Sequence, residues 1–191
     1  MIITGCRRVW EHGGVFIIDE ADASAPAVLI LLNQALANGE CAFDDAVVPQ
    51  HEDFVCVATA NTVGNGATRD YSARQRLDKA TLDRFVNIAW QPDVDLEKRL
   101  ATAAFKRFGG DESQLPVLNV WLADVSNARN FVDEYEVDAL ITPRAAIKGA
   151  KSLAAGGDYV MTRSALLTRH FNEDQRLSFE RKYTVTLPKA A

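Results

Sequence analysis

Two adjacent carboxylates, Asp19 and Glu20, follow directly on the apolar run Val15-Phe16-Ile17-Ile18. A continuous run rich in β-branched residues reads as a strand buried on both faces of a parallel sheet, and open α/β sheets place their ligands beyond the carboxyl ends of such strands. There, one carboxylate can hold Mg²⁺ through water beside phosphate oxygens, while its neighbour orients and deprotonates an attacking water. Asp19 fits the first role and Glu20 the second. A strand that merely ends in two solvated acids would look the same, so the pair needs company. Asn61 closes a second apolar run, Phe54 to Ala60. Its amide both donates and accepts, which suits contact with a terminal phosphate or placement of the water, and equally suits capping a turn. Two cations also stand out. Arg84 follows Asp83, with which it could simply pair. Arg144 falls in the first turn of an expected helix, where the dipole disfavours a cation; that argues for an external anionic partner, with a surface salt bridge as the plain alternative.

The elements that must position these residues can be read from period and punctuation. Ser24 as N-cap, Pro26 in the first turn and Gly39 as stop predict a helix whose apolar stripe is Val28, Leu32 and Leu36. Weak alternation from Cys41 to Phe54 around Asp44-Asp45 predicts a hairpin. Thr62 to Lys79, rich in Gly, Arg and Asp, reads as a mobile loop in which Arg69, Arg74 and Arg76 are available to an adjacent protomer or simply to solvent. A short helix over Ala80 to Arg84 then leads to a third strand, Val86 to Trp90. After Gln91 the chain reads as helices: a stripe of Leu96, Leu100, Ala103 and Ala104, another of Val117, Trp121, Val125 and Ala128, a helix from Pro143 capped by Thr142 and stopped by Gly156-Gly157, and one long or two short helices over Tyr159 to Tyr183. This change sets a domain boundary near residue 92, between an α/β part (1–91) and a helical part (92–191).

Four segments taken together resemble those of the MoxR-like and dynein-related AAA+ ATPases. Gly13 to Glu20 is similar to the family's Walker B strand, and Ala58-Thr59-Ala60-Asn61-Thr62 to its sensor 1 strand. Ala80-Thr81-Leu82-Asp83-Arg84-Phe85 is similar to its arginine-finger segment, and Thr142-Pro143-Arg144-Ala145-Ala146 to the start of its sensor 2 helix. They stand in the family's order. The resemblance implies a partial P-loop NTPase (AAA+) fold, an α/β three-layer core with a C-terminal all-helical lid whose closure brings Arg144 to the nucleotide. It implies ATP and Mg²⁺ as cofactors, Asp19, Glu20, Asn61 and Arg144 as nucleotide-binding residues, and Glu20, Asn61 and Arg84 as catalytic ones. Arg84 would reach a neighbouring subunit's site, where a guanidinium can contribute about 10³–10⁵ in rate. A homo-oligomer, hexameric in the family, or a complete AAA+ neighbour is therefore implied, together with a protein client to be remodelled or activated.

The sequence contains no G-x-x-x-x-G-K-[ST] phosphate loop. Asp19 lies too near the amino terminus for the family's loop to precede it, and truncation is the preferred explanation, with Met1 an internal methionine of a longer ancestor or a misplaced start. Losing three or four hydrogen bonds to charged phosphates removes on the order of 6 kcal/mol, enough to weaken a micromolar site roughly 10⁴-fold. An unpaired sheet edge and exposed apolar surface are further expected consequences. The competing reading is a non-hydrolysing ring module that supplies Arg84 in trans.

Bulk properties exclude other classes. With 21 basic against 26 acidic residues, a net charge of −5, the balance does not favour a free-standing nucleic-acid binder, although it leaves room for local basic patches. Asp19-Glu20-Ala21-Asp22 spells a helicase motif, but no second RecA-like domain follows and the helical half suits a lid better. Its three cysteines, Cys6, Cys41 and Cys56, are assigned no chemistry, and an odd count without C-x-x-C spacing or a secretory signal reads as cytoplasmic. No stretch is apolar enough to span a bilayer.

Overall fold

Gly14, the β-branched Val15, Ile17 and Ile18, and the aromatic Phe16 form the first strand of the computed structural model, which describes residues 2–69 and 71–188. Met1, read above as an internal methionine or a misplaced start, lies outside the described residues. The chain divides into two units, Met1–Ala89 and Trp90–Ala191.

The first unit runs α1 (Ile2–His12), β1 (Gly14–Ile18), a 3₁₀ turn (Ala21–Ala23), α2 (Pro26–Asn38), β2 (Glu40–Ala42), β3 (Val47–Pro49), β4 (Phe54–Ala58) and α3 (Lys79–Leu82). β1 and β4 pair in parallel from Gly14 opposite Phe54 to Ile18 opposite Ala58. Their connection through α2 and the β2–β3 hairpin is long enough for the crossover that parallel strands require. The hairpin turns at Phe43 to Ala46, as the Asp44-Asp45 signal predicts, with the Phe43 amide donating to the Ala46 carbonyl at 2.8 Å.

Because side chains alternate across a strand, Phe16, Phe54 and Cys56 share one face of the sheet and Val15, Ile17, Val55 and Val57 the other. The first face packs with Trp10 and Val9 of α1, Ala35 and Leu36 of α2, and Val48 of β3. Trp10 is fully buried, its indole N–H donates to the Val48 carbonyl at 3.0 Å, and its ring lies 4.7 Å from that of Phe54. Gly13 permits the tight α1–β1 junction, since its φ is +82° and a Cβ there would stand 2.8 Å from His51 Nδ1.

The second face corrects the expectation of a strand buried on both sides: Val15 and Ile17 are 57% and 61% exposed. Within the first unit, α1, α2 and the hairpin cover one side of the sheet and leave the other side exposed. Val86 to Trp90 is likewise no strand, for no described strand pairs with it, and Val86 and Ile88 are 90% and 79% exposed. In α2 the cap is Ala25 rather than Ser24, and the buried stripe is Leu29, Leu32 and Ala35, leaving Val28 outside. Pro26 occupies the first turn and Gly39 ends the helix, as read.

The second unit has no strand among its described residues. It comprises α4 (Val94–Arg107), a 3₁₀ turn (Glu112–Gln114), α5 (Leu115–Glu134), α6 (Pro143–Ala154), α7 (Tyr159–Arg163), a π-helical turn (Ser164–Thr168) and α8 (Glu173–Lys182). Of the predicted stripe of α5, Trp121, Val125 and Ala128 are buried and Val117 is half-buried, beside Phe105, Phe131, Phe171 and Phe179. α4 instead buries Glu97, Ala101 and Phe105, one position round from the predicted stripe, so Leu96 and Leu100 face outward. The cause is an ion pair: Arg129 grips Glu97 with hydrogen bonds of 2.8 and 3.0 Å and also donates to the Ile141 carbonyl. A second buried pair joins Asp124 to Arg163 at 2.7 Å, and the Tyr159 hydroxyl donates to the same carboxylate. Burial, with the Asp124 charge, raises the Tyr159 hydroxyl pKa. Thr142 precedes α6 in extended conformation but makes no side-chain cap. Among the described residues no helix is long and apolar enough to cross a membrane.

Candidate functional site

Parallel pairing decides what stands beside the two acids. With Ile18 opposite Ala58, the next residues outward are Asp19 and Thr59, so a hydroxyl meets a carboxylate at the carboxyl end of both strands. Thr59 Oγ1 donates to Asp19 Oδ1 at 2.5 Å and accepts the Glu20 amide at 3.0 Å. Main-chain bonds brace the same corner: the Thr59 amide donates to the Ile18 carbonyl at 2.9 Å and the Ala21 amide to the Thr59 carbonyl at 2.8 Å. Glu20 is thereby held in the left-handed region (φ 54°, ψ 49°), which for a residue with a Cβ costs roughly 1–2 kcal/mol. Both acids remain exposed.

Immediately behind them Asp22 is fully buried. Its Oδ2 accepts from the Thr62 amide at 3.0 Å and the Thr62 hydroxyl at 2.9 Å, while Oδ1 has no hydrogen-bond partner and faces Arg74 Nη1 at 3.6 Å. Arg74 also donates twice to Glu20, at 3.2 and 3.3 Å. The hydrogen bond to Glu20 is the main cause of the rise in the guanidinium pKa. The Gln75 amide donates to the Asp22 carbonyl at 2.8 Å, and a bridge pairs Asn65 with Arg76. The 62–78 segment is thus anchored to the Asp-Glu turn, and Arg74, read above as available to an adjacent protomer or to solvent, is engaged within the chain.

Asn61 is exposed three residues beyond β4, next to the Thr62 that ties to Asp22. Arg84 stands elsewhere. It follows α3, donates to the Ala80 carbonyl rather than pairing with Asp83, and lines a depression of about 340 Å³ with Phe54, Val55, Cys56 and Phe85. That depression lies toward the amino-terminal half of β4, opposite to the end that carries Thr59. Asp19, Glu20 and the chain turn bearing Asn61 are therefore brought to one corner, and Arg84 is not. Arg144 belongs to the second unit, exposed in the first turn of α6, and no described carboxylate pairs with it.

Thr59, Asp22, Thr62 and Arg74 are the participants whose roles sequence reasoning missed; knowledge of the strand register would have found Thr59. The cysteines stay outside the site. All three are free and half-buried, and desolvation pushes the Cys56 thiol from 9.0 up to about 11. Among the described residues no group of three or more His, Cys, Asp or Glu is arranged around a metal position.

No model of a known protein family matches the chain. Among curated proteins it is similar to the aerobic cobaltochelatase subunit CobS of Sinorhizobium sp, with 29% identity over 157 residues, covering 78% of this chain and 46% of that protein. The chain spans about half the length of the curated relative it matches.

Proposed function

We propose that this chain carries the hydrolysis side of an AAA+ ATPase motor subunit of the MoxR-like kind, working on a protein client. The observation that carries the reading is the Thr59 hydroxyl bridging the Asp19 carboxylate and the Glu20 amide at the carboxyl ends of two parallel strands. The similarity to the cobaltochelatase subunit CobS over most of the chain supports it from the side of sequence. In this reading Asp19 is the magnesium side. Its Oδ1 takes the Thr59 hydroxyl and no described donor bonds Oδ2, and one exposed carboxylate suits a cation that keeps most of its waters. When bound, Mg²⁺ would neutralise charge on the β- and γ-phosphates.

Glu20, fixed in direction by its αL backbone, accepts the proton of the attacking water. Asn61 donates its amide N–H to the terminal phosphate or holds that water. Arg84, sited toward the other end of β4, serves a neighbouring subunit's nucleotide, which is why a ring or a complete AAA+ neighbour is part of the proposal. Arg144, a cation without a described carboxylate partner, completes the nucleotide contacts from the helical unit. The position of Arg84 also favours a second reading, in which the chain hydrolyses nothing itself and lends this arginine to a complete neighbour. By analogy with the cobaltochelatase subunit, a protein that handles metal insertion is the class of client to test first.

The experiment is hydrolysis of magnesium ATP by the chain, alone and mixed with a complete AAA+ neighbour. Loss of turnover in Glu20→Gln, with nucleotide binding retained, is the expected result for the first reading. Turnover indifferent to Glu20→Gln and abolished by Arg84→Ala selects the second. Indifference to both contradicts the proposal.

A further inference from the structure

Arg74 faces two carboxylates of unlike character. Asp22 is fully buried, Thr62 satisfies only one of its oxygens, and the guanidinium at 3.6 Å supplies the charge compensation for the other. Removing that compensation would leave a buried carboxylate uncompensated, which is a strongly unfavourable state. Glu20 is the opposite case. It is exposed, and its two contacts with Arg74, at 3.2 and 3.3 Å, are longer than the roughly 2.7–2.9 Å of a tight charged hydrogen bond. The guanidinium is also restrained from behind, by the Tyr71 ring 5.8 Å away and by the Gln75 amide bonded to the Asp22 carbonyl. One side of Arg74 is therefore tethered inside the protein and the other is exchangeable with solvent.

We infer that Arg74 is a latch on Glu20, holding its carboxylate in the free chain and exchanging it for the phosphate oxygens of an arriving nucleotide while remaining tied to Asp22. The inference rests on the reading of Glu20 as the group that activates water. A carboxylate whose oxygens both accept from one guanidinium has little left with which to take a proton. A phosphate offers that guanidinium the same bidentate geometry with more negative charge. Arg74 is thus a positioning residue that makes water activation conditional on bound phosphate.

Trypsin tests the latch without relying on turnover, because cleavage after Arg74 requires its side chain to leave the turn. In the nucleotide-free full chain, Glu20→Gln should speed cleavage after Arg74 by about two- to fivefold, the worth of a partly exposed ion pair. Cleavage after Arg107 should be unchanged, which controls for general loosening. Equal cleavage after Arg74 in both proteins, or acceleration at both arginines alike, overturns the latch. A second arm uses Arg74→Lys, which keeps a charge for Asp22 but loses the second hydrogen bond to Glu20. Where the parent hydrolyses magnesium ATP, this variant should turn it over faster, and measurable turnover that is slower than or equal to the parent's overturns the inference. If neither protein hydrolyses ATP while Glu20→Gln still releases Arg74, the hydrolysis reading fails and the Arg74–Glu20 latch stands.

Discussion

The Thr59 hydroxyl joins two groups that adjacency in sequence alone would leave free to point apart. It donates to Asp19 and accepts from the Glu20 amide, so Thr59→Val should destabilise the first unit by about 1 kcal/mol, and Thr59→Ser should restore most of it. Urea unfolding of the three proteins measures this. Asp19, Glu20 and Asn61 were legible in the sequence because their type and their place after apolar runs suffice to nominate them. Thr59, Asp22 and Arg74 were not, because their roles exist only once β1 and β4 are in register and residue 74 has folded back over residue 20. Cys56 illustrates the opposite case, a side chain whose chemistry is removed by its surroundings. Its folded pKa of about 11 lies above its ordinary 9.0, so the folded state holds the proton longer than the unfolded chain. The associated stability is complete below pH 9 and is lost as pH rises through 11. Alkylation of Cys56 by iodoacetamide should accordingly stay slow at pH 9 and accelerate toward pH 11, with peptide mapping as the readout.

At the scale of elements, helical period was a good guide to where helices lie and a poorer one to which face they bury. Trp121, Val125 and Ala128 were identified because α5 is flanked by core on the side its apolar residues dictate. α4 was misread because apolarity alone selects Leu96 and Leu100, whereas burial of the Glu97–Arg129 pair turns the helix so that Ala101 and Phe105 go inward. Glu97→Ala should therefore destabilise the helical unit by about 3 kcal/mol, since it leaves Arg129 without its charge partner, and adding Arg129→Met should recover most of the loss. Thermal denaturation of the single and double variants checks the pattern. α6 approaches α5 so closely that a Cβ on Gly149 would stand 2.0 Å from the Trp121 ring. Gly149→Ala should cost about 1–3 kcal/mol by overpacking, and loss of the near-ultraviolet tryptophan signal would report it. The strand Val86 to Trp90 failed for a different reason: an alternating apolar segment becomes a strand only where another strand offers hydrogen bonds, and no described strand does so.

At the scale of the whole molecule, the first unit leaves Val15, Ile17, Val55 and Val57 on an open sheet face, with Val86 and Ile88 also exposed. Apolar surface of that kind drives association. The double variant Val15→Thr, Val55→Thr should be more monomeric than the parent in sedimentation at equal concentration, with thermal stability little changed because both side chains are already exposed. An unchanged association state would show that the face is not what brings molecules together. If the chain is a motor subunit, the corner formed by Asp19, Glu20 and Thr59, with Asn61 on the adjoining turn, receives a metal–nucleotide complex. Paramagnetic broadening of amide resonances by Mn²⁺·ATP, titrated into the 191-residue chain and into Asp19→Asn, tests this most directly because it detects even weak binding. Broadening that begins at Glu20, Ala21, Thr59 and Asn61 and disappears in Asp19→Asn is the predicted result. Broadening that starts elsewhere, or that is identical in the two proteins, would contradict the assignment of this corner as a nucleotide site.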